Sequence, residues 1–125
     1  MRRYDEAMRR FPASVYDIGE EPDPRFSLAN ERTFLAWTRT GLALIAGGVA
    51  LEVLGLDLHP GFRLAASLLL MVAGTAVAPL AWWEWMRAER ALRQSRPLPG
   101  AFSAVLLAVV VVLVGLLVLA GILWR

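Results

Sequence analysis

Neither cysteine nor lysine occurs among the 125 residues, and histidine occurs once, as His59. The first absence excludes disulfides, thiolate metal sites and cysteine nucleophiles. A single histidine excludes a multi-histidine metal centre within one chain. Without lysine, all 13 basic residues are arginine. Arginine stays protonated and meets phosphate or carboxylate oxygens through a planar fork, so the cationic sites are geometric rather than point-like. A genome rich in GC would also favour arginine codons. No nucleophile–base pair, glycine-rich phosphate loop or metal cluster is present, so no enzymatic activity, cofactor or metal is expected. No nucleic-acid partner is expected either.

What is abundant is apolar sequence. Hydrophobic residues make up 58% of the chain, with mean hydropathy +0.54. Soluble domains run at about 45–50% apolar, so the excess must be hidden in lipid. Three runs of about 20 residues suit a hydrocarbon slab ~30 Å thick. They fall at roughly Phe34–Leu56, Phe62–Trp85 and Phe102–Trp124. The expectation is an all-α integral protein of the inner (plasma) membrane with three transmembrane helices.

Arginines lie mostly before the first run and between the second and third. Positive loops stay inside, which predicts a cytoplasmic N-terminus and an outer C-terminus. Residues 1–24 read as an N-terminal arm and linker, and residues 25–125 as the membrane domain. Within the arm, Tyr4, Ala7, Met8 and Phe11 share a helical face, consistent with a short surface helix or a frayed tail. No apolar core of a signal peptide follows them. Pro12–Pro24 reads as an extended linker, with helix resuming near Ser27 or Asn30 as the cap.

The first apolar run carries the unusual chemistry. Arg39 lies inside it and Glu52 near its end. An arginine at the centre of a membrane helix costs about 2.5–3.5 kcal/mol on insertion scales, so it generally faces a partner or water. Ala36, Thr40, Ala43, Gly47 and Ala50 form a seam of small residues on which a helix can approach closely. Gly41, Gly48 and Gly55 form a second series, seven apart. Arg25, Arg32 and Arg39 share that spacing, with Arg25 on the same face only if the helix starts early.

Beyond the first run, His59 reads as a solvated residue in the outer turn. Pro79 is expected to kink the second span. Trp82, Trp83 and Trp85 read as an interfacial belt, with Glu84 among them available to Arg32 or Arg39. Arg87, Arg90, Arg93 and Arg96 recur every three residues, either as topology signal or as an anion collector at the cytoplasmic mouth. The third run has Ser103 as its one polar side chain before Arg125 and reads as a wall without chemistry.

The segment Phe26–Trp37, F-S-L-A-N-E-R-T-F-L-A-W, resembles the small three-helix membrane domain of bacterial YidH-type proteins. That domain is shared with the membrane subunits of the eukaryotic vacuolar transporter chaperone. The resemblance extends through Trp85-Met86-Arg87-Ala88 and covers roughly Arg25 to Trp124. It implies a homo-oligomeric ring, pentameric in the chaperone, whose first helices line a basic pore. Arg25 and Arg32 would then be cations at the pore mouth, and Glu31 an ion-pair partner steadying the ring. Arg87, Arg90 and Arg93 would form a second basic cluster. Arg39 has no counterpart there. The polymerase and inositol-phosphate-sensing domains are absent from the sequence, so polyphosphate synthesis is not implied.

Three functions remain open. One is a homo-oligomeric structural or accessory membrane component. The second is a ring that binds or conducts polyphosphate or another anion through Arg25, Arg32, Arg39 and the second cluster. The third is a binder of anionic lipid that uses Arg87–Arg96.

Overall fold

The computed structural model describes residues 10–125. The surface helix expected within residues 1–11 therefore lies almost wholly outside the described residues. Four helices follow: α1 (Ala13–Tyr16), α2 (Pro24–Val53), α3 (Pro60–Arg93) and α4 (Phe102–Leu123). The last three are each long and apolar enough to cross a membrane. Both α2 and α4 pack on α3, and they do not pack on each other.

The first long helix starts earlier than Ser27 or Asn30. Asp23 is its N-cap, accepting a hydrogen bond from the Arg25 backbone N–H at 2.9 Å. Pro24 occupies the first turn, where a missing N–H costs nothing and a fixed φ favours helix. Pro22-Asp23-Pro24 is thus a start signal rather than the end of a linker. The consequence is that Arg25 does share a helix with Arg32 and Arg39. Pro79 lies inside α3, which continues through it to Arg93.

At ~1.5 Å per residue, α2 and α3 measure about 45 and 51 Å, whereas α4 measures about 33 Å. The surplus projects at the arginine-rich end, where α2 begins and α3 finishes. Close approach of α2 and α3 depends on glycine. A Cβ on Gly74 would stand 2.6 Å from the Gly41 carbonyl oxygen, and one on Gly48 would stand 2.8 Å from that of Ser67. The Ser67 hydroxyl donates to the Gly48 carbonyl at 2.7 Å. So the Gly41/Gly48 series forms the contact within the chain. Of the other seam, Ala36 and Ala43 remain exposed.

The far end is closed by His59. Its Nδ1 accepts from the Gly61 N–H at 3.1 Å, capping α3, and its backbone N–H donates to the Gly121 carbonyl at 2.9 Å. Glu52 finds Arg63 at 3.7 Å. His59 is therefore a helix cap that also ties α4 to the turn.

Residues 12–21 are not an extended linker. They form the single turn of α1 and then wrap the end of α3. Gly19 adopts φ 63°, and a Cβ there would collide with the Arg93 carbonyl, so a side chain is excluded on both counts.

Candidate functional site

Three polar constructions occupy the projecting end. The first joins α2 to α3. Glu89 is 2% exposed and accepts from the Ser27 hydroxyl and from Asn30 Nδ2, each at 3.2 Å. Asn30 Nδ2 also reaches the Trp85 carbonyl at 3.1 Å. Asn30 is thus a clamp between helices, seven residues inside α2, and not a cap.

The second joins α3 to α4. Glu84 does not pair with Arg32 or Arg39. Its carboxylate accepts from the backbone N–H of Ser103 at 2.7 Å and from the Ser103 hydroxyl at 2.6 Å. A negative group at the start of a helix meets unsatisfied N–H donors and the positive end of the dipole. The supposed wall therefore carries a polar anchor at its first turn.

The third construction is centred on Arg93, which is 8% exposed. Its Nε donates to the Ile18 carbonyl at 2.7 Å, Nη2 to the Tyr16 carbonyl at 2.8 Å and Nη1 to Glu21 Oε1 at 2.9 Å. The guanidinium also lies 5.5 Å from the Tyr16 ring centre. Glu21 takes a second ion pair from Arg10. The hydrogen bond from Arg10 holds the Glu21 carboxyl below its usual pKa, burial opposes this, and Arg93 adds to the lowering. Arg93 therefore leaves the expected anion-binding cluster and holds the arm instead. Steps of three residues retreat about 60° around a helix, so Arg93 points about 120° away from Arg87.

The aromatic belt is likewise divided. Trp82 and Trp85 stack at 4.9 Å, with Phe34 edge-on to Trp82 at 5.9 Å. Trp85 is buried among the helices, whereas Trp83 is exposed and carries the Arg87 guanidinium 4.5 Å above its ring.

The remaining predicted cations face outward. Arg25 is 86% exposed and pairs with Asp23 at 2.9 Å. Arg32, Arg39 and Glu31 are exposed and make no side-chain hydrogen bond or ion pair among the described residues. Arg25, Arg32 and Arg39 share one face of α2 with Leu28, Leu35, Leu42 and Val49 and with Ala29, Ala36 and Ala43, all exposed. Arg87 and Arg90 instead line a cleft of about 330 Å³ at the end of α3, together with Gln94, Arg96, Pro97 and Pro99. A second cleft of about 270 Å³ lies between α2, α3 and the Leu98–Ala101 turn, and is mostly apolar.

Sequence reasoning missed Glu89 and the role of Arg93, although one signal was available. Ala73, Val77, Ala81, Trp85, Glu89 and Arg93 are each four apart and all buried. The buried stripe of α3 thus continues unbroken into charged residues.

Residues 25–91 match the family described as "Domain of unknown function (DUF202)". The chain is 43% identical over 110 residues to the inner membrane protein YidH of Escherichia coli K12, covering 83% of this chain and 96% of that protein. It is 44% identical over 101 residues to an uncharacterised protein of Mycobacterium tuberculosis H37Rv, covering 80% and 83% respectively. No solved structure matches the chain. With two spans packed on a central third, α3, and relatives of this similarity along most of its length, the chain belongs to the DUF202 family of YidH-like inner-membrane proteins.

Proposed function

We propose that this inner-membrane protein is a homo-oligomeric structural or accessory component, its copies joined along the outward face of α2 with the arginine-rich ends in the cytoplasm. The observation that carries this reading is the repeat on that face. Arg25, Arg32, Arg39 and Ala46 recur every seven residues, as do Leu28, Leu35, Leu42 and Val49, and the alanines that follow each of the leucines. Among the described residues, nothing covers them. A seven-residue period is the signature of helices wound about each other, and small residues allow close approach in lipid. A face turned only to acyl chains needs neither, and it would leave Arg39 to bear the cost of lipid exposure.

Sizing in lipid discs tests the reading. A single multimeric species is expected, broken down by Ala36→Leu with Ala43→Leu and weakened by Glu31→Ala. A monomeric wild type would overturn it.

A second reading, a ring that binds or passes polyphosphate or another anion, draws on one further fact. Arg32 and Arg39 make no side-chain hydrogen bond or ion pair among the described residues and stand about 10 Å apart along the axis. Assembly about α2 would gather these cations around one centre. Polyphosphate or chloride flux through liposomes, lost in Arg32→Gln, is expected of a conducting ring. Tight multimers without flux would leave the structural role alone.

A further inference from the structure

The end of α3 is shaped by its last turn. Gln94 is the C-cap and Ser95 takes a left-handed conformation, φ 52°. The Arg96 N–H then returns to the Ala91 carbonyl at 2.9 Å and the Ser95 N–H to that of Leu92 at 3.4 Å. This is the 6→1 and 5→2 pairing of a Schellman ending, usually made with glycine. It folds Arg96 back beside Arg87 and Arg90, and Pro97 and Pro99 wall the resulting cleft.

Three guanidinium groups line this cleft, and no carboxylate does. None of the three makes a side-chain hydrogen bond or ion pair among the described residues, in contrast to the saturated Arg93. Arg87 is held from below by the Trp83 ring, 4.5 Å from its guanidinium carbon, and this contact leaves N–H groups for an oxygen ligand. Gln94 adds an independent sign of a missing ligand. Its carboxamide oxygen is buried and accepts no hydrogen bond among the described residues, although buried polar atoms are rarely left unpaired. Cations alone could complement the carboxyl end of the helix dipole. They would not explain a concave wall or an acceptor waiting for a donor.

We propose that Arg87, Arg90, Arg96 and Gln94 form a binding site for a phosphate group that carries a nearby O–H donor. The arginines take the anionic oxygens and Gln94 takes the hydroxyl. Two sources supply that chemistry: the headgroup of an anionic phospholipid with a free hydroxyl, and inorganic phosphate in its monoprotonated form. The site lies where α3 leaves the membrane, and Pro99 also lines the apolar cleft beside it. It does not depend on whether copies of the chain associate through α2.

Trp83 provides the readout, because a ligand on Arg87 changes the environment of the ring beneath it. The full chain in a neutral detergent is titrated with dihexanoyl phosphatidylglycerol, dihexanoyl phosphatidylcholine or inorganic phosphate while tryptophan emission is followed. The Trp83→Phe variant identifies the responding signal. The expected result is a saturable response to phosphatidylglycerol, weakened at least about tenfold in Arg87→Gln/Arg90→Gln/Arg96→Gln and several-fold in Arg90→Gln alone. Arg125→Gln, beside Asp57 at the opposite end of the molecule, should leave it unchanged. Unaltered circular dichroism of the triple variant shows that the fold persists, and Arg90→Gln serves if it does not. A response to inorganic phosphate with the same arginine dependence would support the site and name the soluble ion as its source. Equal responses to phosphatidylcholine, or responses indifferent to the arginine substitutions, would overturn the proposal.

Discussion

The carboxylate of Glu84 holds Ser103 by both its backbone N–H and its hydroxyl, at 2.7 and 2.6 Å, across nineteen positions of chain. This is the polar tie between α3 and α4 at the arginine-rich end, and Ser103 is fully buried. Ser103→Ala removes the hydroxyl donor and keeps the backbone one. A loss of about 1–3 kcal/mol is expected, the usual cost of leaving one side of such a bond unmet. Glu84→Leu should cost more, because it strips both bonds and uncaps α4. Unfolding in mixed micelles, followed by circular dichroism, measures both variants.

Glu89 ties α2 to α3 in the same way, through Ser27 and Asn30. Glu89→Ala leaves the Ser27 hydroxyl without its acceptor and Asn30 with the Trp85 carbonyl alone. A destabilisation of about 1–3 kcal/mol is expected. Arg90→Ala, one residue further on an exposed surface, should change stability by less than about 0.5 kcal/mol. Comparable losses for the two would show that the buried clamp carries no particular weight.

The arm responds to acid through Glu21. Its folded pKa is lowered by the hydrogen bond from Arg10 and by Arg93, against an opposing contribution from burial. A lowered carboxyl stabilises the docked arm fully above its ordinary value of 4.5 and loses that contribution as pH falls through the folded pKa. Among the described residues the groups facing Glu21 are Arg10 and Arg93, with Tyr16 beside them, and none is a carboxylate that would reverse the sign. Hydrogen exchange at the Glu20 N–H, which bonds the Arg93 carbonyl at 2.9 Å, reports docking. After correction for intrinsic rates, its protection should fall as the pH drops below the ordinary carboxyl value of 4.5 and through the lowered folded one, while amides within α2 and α3 stay protected. In Glu21→Gln the protection should be weaker and independent of pH.

The three spans were legible because apolar runs of this length have few alternatives to a bilayer. Their polar extensions were harder to read. Pro24 reads as a helix breaker until Asp23 is seen to cap it, and that single difference moves Arg25 onto the face of Arg32 and Arg39. The arginines of α3 were counted by their spacing of three, whereas the helix sorts them by direction. Arg93 turns inward and Arg96 is folded back by the left-handed Ser95. Two of the hydrogen-bond acceptors of Arg93 are backbone carbonyls, of Tyr16 and Ile18. No side chain in the sequence announces such partners. Gly41 and Gly48 were visible as a series, but their opposites Gly74 and Ser67 emerge only when α3 lies against them.

The absence of cysteine gives the most direct test of the face on which the proposed assembly depends. Ala36→Cys and Ala43→Cys place single thiols on the outward side of α2, and Val112→Cys places one on an exposed position of α4. Oxidation in native membranes should convert both α2 variants to covalent dimers and leave the α4 variant monomeric. Equal cross-linking at all three positions, or at Val112→Cys alone, would contradict assembly through α2.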